Sequence, residues 1–309
     1  MYADIFDYPV TAGEIHRYLM ACATDLATVQ QALDRSLLPR GHLESRQGYY
    51  FLPGREALVP VRQHRATIAR PLWHHAYEYG LWVGRLPFVR MVAVTGGLAV
   101  DNVDEDADID YLIVTEPGRL WLCRALVIGL VRWAARRGHV ICPNYFLTES
   151  ALVIDEHNLY TARELAQMVP IVGFPVYERM RQLNAWADEF LPNAKGAPRA
   201  IAPAPANNLS RAGDFWAGAC SWVERGLRTP VACALWARLE AWEMRRKINK
   251  FQRQIALTTG GAVAADEVAF CADWCKGHFD GHAHAVLRFY AQRLEQVTNA
   301  PIQRETMQR

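Results

Sequence analysis

The sequence predicts an α/β (α+β) fold built on a mixed sheet, and three observations predict it. Two apolar runs, Phe88 to Thr95 and Ile109 to Val114, flank a Gly96-Gly97 turn and an acidic loop. A strongly apolar stretch, Leu120 to Arg136, follows at helical length, and a further β-like run, His139 to Leu147, comes next. A helix between strands is the expected crossover of an α/β sheet.

The chain begins with a different pattern. Thr11-Ala-Gly-Glu14 after Pro9 is a capping box, and Ile15, Tyr18 and Leu19 supply the apolar face of a helix from Ala12 to about Cys22. Leu26, Val29, Ala32 and Leu33 mark a second amphipathic helix, and Gln47-Gly48 between Leu43/Ser45 and Tyr50/Leu52 reads as a hairpin. Helix, helix, hairpin over residues 1–60 is the order of a winged-helix-like module. Its second helix offers only Arg35 as a cation, so packing or dimerisation outweighs nucleic-acid reading there.

Residues 61–191 are the expected core domain. A helix from Val61 to Trp82 contains Pro71, which should kink it or mark its start. Pro117-Gly118 is a turn, Gly138 stops the crossover helix, and Ala151 to Ile154 is a short β-like run. A second capping box, Thr161-Ala-Arg-Glu164, starts another helix, and Tyr177 to Phe190 forms one more. Residues 192–213, rich in Pro, Ala and Asn without an apolar period, read as a linker. Residues 214–309 read as a C-terminal helical domain, with Trp216, Trp222, Trp236 and Trp242 as core and a frayed end from Pro301.

Composition excludes several classes. A net charge of +2 gives no global pull toward nucleic acid, so such binding would need a local patch. Seven scattered cysteines in a chain of 309 residues favour reduced thiols. The N-terminus lacks a signal-peptide pattern, and Leu120 to Ala135 is interrupted by Arg124 and Arg132 and too short to span a bilayer. A cytoplasmic protein without a membrane segment is expected. Walker A, Rossmann and Ser/His/Asp hydrolase patterns are absent.

The chemistry-bearing stretch is MVAVTGGLAVDNVDEDADIDYLIVT, residues 91–115. Asp108 and Asp110, at i and i+2 of a strand, point to one face about 7 Å apart. Such a pair can hold Mg²⁺, or Mn²⁺ in its place, against a polyphosphate. A glycine pair after a strand lets the backbone approach a phosphate closely. An EF-hand beginning at Asp104 would need Gly and Glu where Ile109 and Thr115 stand, which removes calcium from the readings. The remaining bland alternative is a solvated acidic loop, against which the acids lie beside the apolar run Tyr111 to Val114.

This order resembles the nucleotidyltransferase superfamily that includes DNA polymerase beta and the aminoglycoside nucleotidyltransferases. Their signature is an apolar strand, Gly-Gly or Gly-Ser, a spacer and Asp-x-Asp on the next strand, here Val92 to Thr95, Gly96-Gly97 and Asp108-Ile109-Asp110. The CPNYFL and LYTAREL runs are similar to bacterial proteins known only as nucleotidyltransferase-domain proteins. The resemblance implies a mixed-sheet core and metal ligation by Asp108 and Asp110. It also implies triphosphate contact at Gly96 and Gly97, with a nucleoside triphosphate as substrate and an acceptor hydroxyl of unspecified class. The superfamily places a third carboxylate on the strand after the crossover helix. HVICPNYFL has no acid, which leaves Asn144 and the more distant Glu149 as candidates. Lacking that acid, the same fold could instead bind or sense nucleotide without catalysis; a winged-helix nucleic-acid regulator is the other alternative.

Two further clusters invite function. Arg246, Lys250 and Arg253 share one helical face, either solvated or forming a cationic wall for triphosphate. Cys271, Cys275, His278, His282 and His284 invite zinc, but their spacing matches no standard module; Lys276 and His278 are alternative phosphate contacts.

Overall fold

The computed structural model describes residues 1–36, 43–199, 218, 220–259, 270–276 and 282–298. By internal contacts they form two units, one from residues 1–16, 24–62 and 282 onward, the other from 17–23 and 63–281.

In the first unit, β1 (Val10–Thr11) leads into α1 (Ala12–Arg17), followed by α2 (Leu26–Ser36), β2 (Glu44–Arg46) and β3 (Tyr49–Phe51). The strands form an antiparallel sheet in the order β1-β3-β2. The capping box is formed: Glu14 Oε2 accepts from the Thr11 amide at 2.8 Å, and Thr11 Oγ1 accepts from the Glu14 amide at 3.3 Å. α1 nevertheless stops at Arg17 rather than near Cys22, and the chain reverses through Ala21, whose φ is 50°. Gln47 and Gly48, with φ of 54° and 80°, supply the two left-handed residues that a tight hairpin needs to match strand twist. Tyr8, Val29, Leu33, Phe51 and Val59 form the interior. Arg62, also buried, donates to Tyr8 Oη at 2.7 Å and lies 4.3 Å over its ring. The helix His282–Thr298 belongs to this unit, with Arg293 paired to Asp4.

The second unit holds a five-stranded sheet in the order β7-β4-β5-β6-β8. Its strands are β4 (Val89–Val94), β5 (Ile109–Thr115), β6 (Ile141–Thr148), β7 (Val169–Val172) and β8 (Trp274–Lys276). β5 and β6 are parallel and the other pairings antiparallel, so the sheet is mixed. β8 comes from the stretch assigned by sequence to a helical domain; three residues carry no readable period.

α3 (Leu58–Gly84) runs unbroken through Pro71, and with α5 (Leu120–Ala135) it packs on Ile109, Tyr111 and Ile113. Burial of Ala69, Trp73, Ala76, Tyr79 and Val83 on one face outweighs the hydrogen bond that Pro71 cannot donate. Gly84 is needed there, because a Cβ would stand 2.5 Å from Val172. α5 has no side-chain cap of its own. Glu240, from the long helix Pro230–Thr259, accepts from the Trp121 and Leu122 amides at 2.6 and 2.9 Å. That helix turns Met244, Ile248 and Phe251 toward the core. Trp222 and Trp242, expected in the core, are 74% and 56% exposed, while Trp236 is half-buried and Trp216 lies outside the described residues. The core tryptophans are instead Trp73 and Trp121.

α6 (Leu159–Gln167), α7 (Phe174–Leu183) and α8 (Ala187–Phe190) bury Leu152, Leu165, Tyr177, Met180 and Leu191, none of which belongs to the first cluster. The expected capping box at Thr161 is not the cap. Asn158 starts α6 three residues earlier, its Oδ1 accepting from the Thr161 amide at 2.9 Å, so Glu164 lies well inside the helix. Ala151 to Ile154 forms no ladder; buried Asn184 accepts from the Ile154 amide at 2.8 Å and donates to Leu152 O at 2.7 Å. Of the expected linker, residues 200–213 lie outside the described residues. Among the described residues no helix is long and apolar enough to cross a membrane.

Candidate metal centre

β4 ends at Val94, and Thr95 then donates its amide to Asp110 O at 3.0 Å, locking the turn onto the start of β5. α4 (Gly96–Ala99) begins at once. Gly96 has φ 65°, and a Cβ there would collide with Asp110 Oδ2; a Cβ on Gly97 would stand 2.6 Å from Asn102 O. The glycine pair therefore serves two close approaches, one of them to a carboxylate of the Asp-x-Asp motif.

Along β5, Ile109 and Tyr111 point into the cluster beneath α3 and α5, so Asp108 and Asp110 alternate to the other face. The parallel register sets Asp110 opposite Cys142 at the start of β6. One carboxylate oxygen each of Asp108 and Asp110 and the sulfur of Cys142 lie within 4.8 Å of one another. Among the described residues this is the one group of three His, Cys, Asp or Glu side chains drawn together closely enough to share a metal ion.

Burial, then the field of Asp108, pushes the Asp110 carboxyl up to about 7, against a hydrogen bond from Cys142. Burial and the two neighbouring carboxylates push the Cys142 thiol up to about 12. Glu164, on α6, is raised to about 7 by burial and then by the field of Asp110, against the opposing pull of Arg163. Gln167 Nε2 donates to Glu164 Oε1 at 2.5 Å. α6 is held in place by Arg17, which donates to Ala166 O at 2.9 Å, and by Arg163, which lies 4.0 Å over the Tyr18 ring. β7 follows α6 directly and pairs Val169 with Val94, which puts the end of α6 at the same edge of the sheet as Gly96 and Asp110.

The other sequence candidates fall elsewhere. Asn144 lies where the β5/β6 register shifts, Asp110 pairing with Cys142 but Leu112 with Tyr145, so Cys142 and not Asn144 stands across from the acid. Glu149 follows the far end of β6: its amide donates to Thr115 O at 3.0 Å and its carboxylate is 3.8 Å from Arg90. There Arg90 also pairs with Glu116 and, at 2.8 Å, with Glu224. Burial raises the Glu224 carboxyl, but hydrogen bonds from Arg90 and Arg228 prevail and hold it at about 2. Arg246 is engaged by Glu243 on its own helix at 2.7 Å, and Lys250 is exposed. Arg246 is two positions from Met244 and from Ile248, and Lys250 two from Ile248, about 200° around the helix, so their face turns away from the core. Cys275 is buried in β8 and Cys271 is exposed; His278 and the side chain of His282 lie outside the described residues. Sequence reading missed Cys142 and Glu164. The signal for Cys142 was its place in HVICPNYFL at the mouth of the strand after the crossover helix.

Compared with known proteins, the chain matches no family model, no curated protein and no solved structure.

Proposed function

We propose that the chain is a metal-dependent nucleotidyltransferase, moving a nucleoside monophosphate from a nucleoside triphosphate to an acceptor hydroxyl with release of pyrophosphate. One observation carries the reading: Gly96, left-handed and closed against Asp110, joins the glycine turn and the Asp108/Asp110 pair at a single sheet edge. A phosphate-approach turn and a carboxylate pair are both needed for this chemistry, and neither alone would be specific.

Asp108 and Asp110 would hold the cation, and their donor set fits one. When bound, a divalent cation supplies charge neutralisation for phosphate oxygens and lowers the pKa of a bound hydroxyl. Gly96 and Gly97 would meet the triphosphate through their backbone, the space of a Cβ at each being taken by Asp110 and Asn102, while the first amides of α4 have no partner within the helix. Glu164 is the further carboxylate that the field of Asp110 reaches, and it would accept the proton of the acceptor hydroxyl. The first unit, with its helix, helix, hairpin order and β1-β3-β2 sheet, supports a winged-helix-like module, and Arg35 as the sole cation of α2 favours a packing role for it.

The test is pyrophosphate release from ATP, GTP, CTP and UTP in the presence of divalent cation. Asp108→Asn and Asp110→Asn each abolish it; retained turnover in both variants sinks the assignment. Cys142, standing where the superfamily keeps a third acid, favours a second reading in which nucleotide is bound but not turned over. Calorimetric binding without pyrophosphate release selects that reading.

A further inference from the structure

We propose that Asp108, Asp110 and Cys142 form a site selective for a thiophilic divalent cation of the zinc class rather than for magnesium. This rests on the reading of that sheet edge as a metal centre and adds the identity of the metal. Mg²⁺ is hard, prefers oxygen ligands and demands near-octahedral geometry. Zn²⁺ accepts a thiolate together with carboxylates, takes four ligands, and in reactive sites uses three from the protein with one position left open.

The observed donor set is two oxygens and one sulfur, all within 4.8 Å. Its placement is set by backbone pairing: Asp110 and Cys142 are register partners on adjacent parallel strands, and Asp108 is two residues up the same face. Such a set is poorly matched to magnesium, because the sulfur occupies the position from which a third oxygen would bind. Three protein ligands leave the fourth position of a tetrahedral ion for water or a phosphate oxygen. On binding, the Cys142 S–H proton leaves to solvent and the sulfur forms the bond to the metal; no electron is transferred.

The experiment uses the full chain, stripped of metal and titrated with Co²⁺ as a spectroscopic stand-in for zinc. The wild type gives a thiolate-to-cobalt charge-transfer band saturating at one equivalent, abolished by Zn²⁺ and unaffected by Mg²⁺ in large excess. Cys142→Ser loses the band and binds Co²⁺ at least about 100-fold more weakly, since losing a partner that merely orients a ligand already costs up to about that much. Cys142→Asp, which restores an all-oxygen set, loses the band and lets Mg²⁺ compete with Co²⁺. Circular dichroism checks that both variants are folded, and the wild-type competition with Mg²⁺ depends on neither. Three results overturn the proposal: Co²⁺ binding without the band, a band that persists in Cys142→Ser, or displacement by Mg²⁺ at concentrations equal to Zn²⁺. If Asp108→Asn and Asp110→Asn abolish binding while Cys142→Ser does not, zinc selectivity falls and the metal centre stands. If the wild type binds no divalent cation at all, both fall.

Discussion

Replacing Asp110 with Asn should stabilise the metal-free protein at alkaline pH while removing its turnover. Burial and the neighbouring Asp108 raise the Asp110 carboxyl from 3.8 to about 7. An acid whose folded pKa is raised binds its proton more tightly when folded. Its stabilising contribution is therefore complete below pH 3.8 and lost as pH rises through about 7. At 1.36 kcal/mol per pH unit the loss is about 4 kcal/mol, and partial solvent access to the carboxylate brings it to about 2 kcal/mol. Asn has nearly the same shape and no charge to desolvate, so the variant should exceed the wild type by about 2 kcal/mol at pH 8 and by little at pH 4. Urea unfolding of both proteins with a chelator, across that range, measures the difference together with the linked relief of Glu164, which the Asp110 charge also raises; titrating groups away from the site cancel between them. A variant less stable than the wild type at pH 8, or a difference that does not grow with pH, would refute the electrostatic account. Adding divalent cation should reverse the order, since the charged wild-type site gains the binding energy and the variant does not.

Three further outcomes follow from the geometry. Gly96→Ala and Gly48→Ala impose the same left-handed strain of about 1–2 kcal/mol, but only at Gly96 does the new Cβ meet Asp110 Oδ2, whereas at Gly48 it meets open space. Denaturation should show the larger loss at Gly96, with turnover lost there and unchanged in Gly48→Ala. Asn184→Ala should cost about 3 kcal/mol in chemical unfolding, since it leaves the Ile154 amide and the Leu152 carbonyl without their partner in a buried site. Glu164→Gln should lower turnover at least about 100-fold, in the range of a lost proton acceptor, while Glu149→Gln leaves it unchanged. Equal effects from the two would place the proton acceptor elsewhere.

What could be read from sequence was what local pattern determines. The run from β4 through the glycine turn to β5, α5 and β6 is carried by long apolar segments with clear turns between them, and the observed β5, Ile109–Thr115, differs from the expected strand by one residue. β7 was invisible because four residues containing Pro170 carry neither length nor period, and its pairing with β4 is fixed by a partner 75 positions away, Val94 with Val169. The tryptophans of the C-terminal half were read as core by residue type alone, yet Trp242 is 56% exposed while Met244 and Ile248 take the buried face.

The two site residues that escaped sequence reading did so for opposite reasons. Cys142 becomes a neighbour of Asp110 only through the parallel β5/β6 register, whereas Asn144 was chosen only as the polar residue nearest the expected position and lies where that register shifts. Glu164 was concealed by a local pattern that looked complete: Thr161 and Glu164 satisfy the spacing of a capping box, and only Asn158 taking the cap releases the glutamate for another use. A carboxylate kept where burial and a second carboxylate both oppose its charge is costly unless something compensates. That cost is common to Asp110 and Glu164, each raised to about 7. A divalent cation at this sheet edge would compensate both at once, which is why the acids missing from β6 and present on α6 favour a metal centre over a solvated acidic loop.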